Sequence, residues 1–101
     1  MIKHIVLFKL AEKAEGRSKE DNAILIKEKL ESLKVMIKEI HEIEVSINDT
    51  EASSYNYDII LDSEFASFSD LEKYINHPEH KKVGEFISKV RISRAAIDYK
   101  I

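Results

Sequence analysis

Tyr74-Ile75-Asn76-His77-Pro78-Glu79-His80 is the stretch on which the reading of the chain turns. Pro78 lacks a backbone N–H and drives the residue before it out of helical geometry. A helix running through Tyr74 must therefore stop near Asn76, and Pro78 opens a second helix. Upstream, Ser67 and Asp70 form a capping pair that starts the first helix, with Leu71, Tyr74 and Ile75 read as one inward face. Downstream, His80, Val83, Ile87 and Val90 recur at helical spacing, which places His80 on the apolar face of the second helix. The corner thus turns a phenol and an imidazole toward the same interior.

Outward from the corner the pattern is strand, helix, strand, strand on one side and a strand on the other. Ile2–Leu10 alternates as a strand, with Ile2, His4, Val6, Phe8 and Leu10 on one face and Lys3, Ile5, Leu7 and Lys9 on the other. Both faces are apolar at the centre, so both require cover. Ala11–Arg17, with Gly16, reads as a loop, and Ser18 with Asp21 caps a long helix whose stripe is Ala23, Ile26, Leu30, Leu33 and Ile37. His41, Ile43, Val45 and Ile47 alternate with Glu42, Glu44 and Ser46 as a second strand. A polar loop over Asn48–Asn56 leads to a third strand over Tyr57–Phe65, the partner of the second. Arg94–Tyr99 is the closing strand. This order predicts an α+β, ferredoxin-like domain over residues 1–101, a four-stranded antiparallel sheet with helices on one face. The bare face is expected to pair with an identical sheet in a two-fold dimer.

Composition narrows the function. The chain has 101 residues, 35% of them charged, and a formal net charge of −3 with Lys and Arg interleaved among Asp and Glu, which argues against a nucleic-acid or anionic-membrane binder. It contains no cysteine, which excludes disulfides, thiolate catalysis and Cys-ligated zinc. No apolar run approaches the ~20 residues of a membrane span, and Met1–Leu10 lacks a leader's cleavage site. The expectation is a cytoplasmic protein. His77 and His80 are spaced as two metal ligands can be, but no third ligand accompanies them and His41 lies on another element, so no metal or cofactor is expected.

The residues Met1–Leu10, the segment Tyr57–Phe65, the Tyr74-x-x-His77-Pro78-x-His80 corner and the closing Asp98-Tyr99 together resemble the stress-responsive α/β-barrel (Dabb) family, over essentially the whole chain. The resemblance implies paired sheets forming a barrel, with a cavity inside each protomer. It also implies roles. In the family's olivetolic acid cyclase the corner tyrosine and second histidine transfer protons, and they match Tyr74 and His80; a histidine of the first strand near the pocket matches His4. The residues expected around a ligand are His4, Val6, Phe8, Leu61, Val83 and Arg94. Ala23 and Lys27 stand where the cyclase has pocket aromatics, and Arg91 and Arg94 replace apolar groups near the chain end, so the ligand expected here is a small carbonyl or aromatic compound, with a carboxylate or enolate if Arg94 points inward. Asp98, on the same strand face, is the expected ion-pair partner of Arg94 otherwise.

A neutral His80 near a helix start would serve as base and Tyr74 as hydrogen-bond or proton donor, the chemistry of enolisation and aldol-type cyclisation without a cofactor. The alternative is a non-catalytic, stress-associated assembly module in which His80 bonds a buried carbonyl and the Tyr74 hydroxyl is satisfied by the protein.

Overall fold

A computed structural model describes residues 1–101. The long strands are β1 (Ile2–Leu10), β4 (Ile40–Ile47), β5 (Ile59–Phe65) and β6 (Arg91–Lys100), and the helices are α1 (Lys19–Met36), α2 (Phe68–Asn76) and α3 (Pro78–Val90). The strands form one antiparallel sheet in the order β4-β5-β1-β6, the ferredoxin-like topology, with the helices on one face. No helix is long and apolar enough to cross a membrane.

Period-two alternation decides which side chains meet the helices. Ile2, His4, Val6, Phe8 and Leu10 of β1 are all buried, as are Ile59, Leu61, Ser63 and Phe65 of β5. Against them lies the α1 stripe of Ala23, Ile26, Leu30, Leu33 and Ile37, with Leu71, Tyr74, Val83, Ile87 and Val90 from α2 and α3. Both capping serines act as their spacing predicts: Ser18 Oγ accepts from the Asp21 N–H at 3.2 Å and Ser67 Oγ from the Asp70 N–H at 3.1 Å.

Several expectations are corrected. Ile75, in the last turn of α2, does not share the buried face of Leu71 and Tyr74 but is 42% exposed, since one residue past Tyr74 the helix has already turned ~100° from that face. In the second strand a bulge between Ile40 and Glu42 lifts His41 out of register. Ile40 therefore takes the inward place, Ile47 at the strand end is half exposed, and His41, flanked by Glu42 and Glu44, is solvent-facing as those neighbours lead one to expect. The third strand begins at Ile59 because Asp58 is spent elsewhere: its backbone N–H donates to the Phe8 carbonyl at 2.9 Å and its carboxylate accepts from the Leu10 N–H at 2.7 Å. The loop over Ala11–Arg17 contains a small hairpin, β2 (Lys13–Ala14) and β3 (Arg17–Ser18), turned by Glu15 and Gly16 at positive φ. The closing strand is longer than Arg94–Tyr99 at both ends.

The corner forms as read, with one addition. His77 ends α2 and also caps α3: in extended geometry (φ −67°, ψ 136°) its Nδ1 accepts from the Glu79 N–H at 3.1 Å. Pro78 follows at the first helical position, where no N–H is needed. Replacing His77 by Ala is expected to cost ~1 kcal/mol, the usual value of an N-cap, and His77→Asn to restore most of it, as read by chemical denaturation.

Candidate functional site

Where the corner breaks the helix, backbone groups lose their partners, and two histidines replace them. The Ile75 carbonyl would ordinarily accept from the N–H four residues on, that of Glu79, which is taken by His77. His80 fills the gap, its Nδ1–H donating to the Ile75 oxygen at 3.0 Å. That bond fixes the neutral tautomer and leaves Nε2 as the lone-pair nitrogen. His4 is oriented in the same way from the other side: its Nδ1–H donates to Asp98 Oδ1 at 2.5 Å, across the β1–β6 register in which the two residues face each other. Asp98 is therefore the partner of His4, not of Arg94.

Tyr74 lies between them and is fully buried. Its ring centroid is 4.4 Å from that of His80, 4.9 Å from Phe65 and 6.2 Å from His4. Its hydroxyl has no hydrogen-bond partner within the protein. Buried phenols normally find one, and an unmade bond of this kind costs ~1–3 kcal/mol. Burial pushes the Tyr74 phenol far above its ordinary range, with the Arg94 charge opposing. The phenol is thus a donor and not a phenolate.

Beside this cluster a cavity of about 150 Å³ opens between β1, β6 and α3. His4, Val6, Phe8, Leu61, His80 and Arg94 line it. Five of the six residues expected around a ligand are therefore together with the expected base. Val83 is not in the wall; it packs on the other side of α3, toward Leu33, and Ile87 one turn later takes the place assigned to it. Tyr74 is not in the wall either, and stands behind His80 and His4. Sequence reasoning did not place Leu30 or Gly84 there, or join His4 to Asp98, and it set Arg91 near the pocket only through the resemblance. Leu30 belongs to an ordinary core stripe, and nothing local distinguishes it. The facing of His4 and Asp98 follows only from the β1–β6 register. A larger concavity of about 500 Å³ lies across the sheet, between Leu7, Ile60 and the loop over residues 48–58, and brings no histidine into its wall.

Burial lowers the His80 pKa below its ordinary 6.5, helped by the nearby charges of His4, Arg94 and His77 and opposed by the bond to the Ile75 carbonyl. The ring is neutral at pH 7. A histidine with a lowered folded pKa contributes stability that is complete above its unfolded value of 6.5 and is lost as pH falls through that value toward the folded one. Wild-type stability should therefore decline as pH drops below about 6.5, and His80→Gln should flatten that decline in denaturation curves measured across the same window.

Comparison with known proteins gives the setting. The model of the stress responsive A/B barrel domain matches residues 2–101. A Bacteroides fragilis protein, described as dimeric, of unknown function and with a ferredoxin-like fold, is 35% identical, with a TM-score of 0.82 over 99% of this chain and 95% of that one. A Dabb family protein with a ferredoxin-like fold from Mesorhizobium loti is 23% identical, with a TM-score of 0.73 over 99% and 95% of the two chains. A hydroxynitrile lyase from Passiflora edulis is 14% identical, with a TM-score of 0.77 over 99% and 92%, a likeness of fold alone. No protein of curated function matches the sequence.

Proposed function

The chain belongs to the stress responsive A/B barrel (Dabb) family, and from that premise we propose that it is a homodimer in which each protomer binds a small carbonyl compound beside His80 and moves a proton on it without a cofactor. The observation that carries this reading is the His80 imidazole in the cavity wall. It is held neutral, with Nδ1 tied to the Ile75 carbonyl and Nε2 free.

In this reading Nε2 takes a proton from the carbon next to the ligand's carbonyl. The electron pair of that C–H bond becomes the enol double bond, and the carbonyl oxygen takes up a proton. Tyr74 is the donor in this reading: its hydroxyl has no partner in the protein, and it meets the carbonyl oxygen when the ligand parts the His80 and His4 side chains that stand between it and the cavity. The imidazolium then returns its proton to the phenolate, and the net change is keto to enol. His4, oriented by Asp98, stands on the other side of the phenol as a second hydrogen-bonding group. Val6, Phe8 and Leu61 provide the apolar wall.

The dimer rests on the other face of the sheet. Ile5, Leu7, Ile60, Ala95, Ile97 and Tyr99 are neighbours there across β5, β1 and β6. Ile60, Ile97 and Tyr99 are large apolar groups left exposed, and charged Lys3, Asp62 and Glu64 border them. A patch of this kind at the centre of a sheet calls for a second copy. The Bacteroides fragilis relative is described as dimeric.

Two measurements test these readings. Small ketones and aldehydes in D₂O should exchange the protons next to the carbonyl faster with the protein than without it, as followed by NMR. His80→Ala and Tyr74→Phe should each reduce that rate by ~10²–10⁴. Tyr74→Phe should at the same time melt higher than wild type, by ~1 kcal/mol of stability, since it removes a buried hydroxyl without a partner. Exchange that ignored both substitutions would sink the catalytic reading. Sedimentation at micromolar concentration should show a dimer, and Ile97→Asp a monomer; a monomeric wild type would defeat the paired-sheet model.

A further inference from the structure

We propose that the ligand of this cavity is a small oxo-carboxylate, its carboxylate clamped at the cavity mouth by Arg94 and Arg91 and its short chain admitted by the missing side chain of Gly84. The inference rests on the binding reading given above and adds the ligand's charge and size.

The argument begins with a defect in the β1–β6 pairing. From Ile2 to Lys9 the two strands run in regular register, which puts Arg94, opposite Phe8, on the helix side of the sheet. Continued alternation would send Arg91 to the far side. The register shifts between Lys9 and Leu10, however, so that Ile92 is passed over and Arg91 faces Leu10, whose side chain is buried under the helices. A bulge re-aims side chains in this way. It brings two guanidinium groups three residues apart onto one face, and both line the cavity.

Neither guanidinium is spent inside the protein. Every ion pair of the chain uses a lysine or His4. Asp98, the acid nearest on that strand face, is taken by His4. No Asp or Glu lines the cavity; its titratable wall is His4, His80, Arg91 and Arg94. On a chain with a net charge of −3 this is a local concentration of positive charge around an apolar hollow. A guanidinium binds a planar carboxylate through two parallel N–H donors, and Arg94 shares the cavity wall with His80 and His4. A carboxylate held there leaves an adjacent carbonyl to point inward at His80, and the positive charge also favours the enolate that forms.

Gly84 supplies the second, independent observation. It sits in the interior of α3 with ordinary helical geometry, where glycine is a poorer helix former than alanine. The backbone does not require it, and neither does packing: a Cβ built on Gly84 meets no atom within 4 Å. Gly84 is part of the cavity wall, so a side chain there would stand in the hollow. Space, not fold, accounts for the glycine. A cavity of about 150 Å³ accepts a molecule the size of benzene, which matches a four- or five-carbon oxo acid and excludes a long-tailed ligand.

The test uses the full-length protein with 2-oxobutanoate and its methyl ester as probes, titrated by NMR alongside exchange of their C3 protons in D₂O. The expected result is that wild type binds the acid at least ~10-fold more tightly than the ester, and that Arg94→Gln and Arg91→Gln each bring the ratio toward one. Gly84→Leu should abolish binding of both probes, while Gly84→Ala raises the melting temperature by a few degrees, which shows that the helix tolerates a side chain at this position. Equal binding of acid and ester, or a preference for the acid that survived in both arginine variants, would overturn the clamp and leave the carbonyl-binding reading standing. Binding of neither probe, with no exchange of any small ketone, would overturn both.

Discussion

A single missing N–H organises the helical half of this protein. Pro78 can begin a helix but cannot continue one, so the run from Phe68 to Val90 is divided and the groups at the break must find new partners. His77 gives Nδ1 to the Glu79 N–H, and His80 gives its Nδ1–H to the Ile75 carbonyl that Glu79 no longer serves. The two histidines thus satisfy one donor and one acceptor at a corner that would otherwise leave both to solvent. This structural duty also does something chemical. An imidazole tied through Nδ1 presents Nε2, and partial burial keeps it neutral. A histidine serving a structural need is placed as a base by the same bond.

The sheet divides the remaining tasks by face. On the helix side, β1 and β5 carry the core, and the edge strand β6 is left open enough for Arg94 and Asp98 to reach solvent. The cavity opens there, between a dry floor of Val6, Phe8 and Leu61 and a charged rim. On the other side the same strands present Ile5, Leu7, Ile60 and Ile97, a surface suited to a second sheet. Because side chains alternate along a strand between its bulges, the residues placed toward the cavity and those on the opposite face are adjacent in sequence and separate in space. His4 and Ile5 face opposite ways, as do Asp98 and Ile97.

Family membership is consistent with this division and leaves the chemistry of the individual site open to its own residues. Relatives at 14–23% identity share the fold, and among them stand a lyase and proteins without an assigned role. The rim of the cavity carries this chain's own particulars: two unspent arginines, a bulge that aligns them, and a glycine where a helix would prefer alanine. These features concern what the cavity holds more than whether the domain folds, since the core cluster is complete without them.

Wherever the signal was local, the amino-acid sequence by itself determined the result. The helix break at Pro78, the two serine caps, the α1 stripe, the inward faces of β1 and β5 and the order of elements all arise from interactions within a few residues, and each is present in the structure. Tyr74, His80 and His4 were identified as neighbours by pattern and resemblance, and their rings do pack together. Only tertiary structure decided the rest. Two bulges, at His41 and at Ile92, reverse the facing of everything beyond them, and nothing in a strand's own composition announces where one will fall. For that reason Ile40 took the inward place in its strand and Arg91 came to the same face as Arg94. The pairing of Asp98 with His4 rather than Arg94 is a fact of inter-strand register across 94 residues of chain. The replacement of Val83 by Ile87 in the wall turns on how α3 is rotated against the sheet, and the free hydroxyl of Tyr74 on what packs around it. Helical and strand periodicity state which side of an element is apolar; which polar group on that side meets which other one is set when the elements dock.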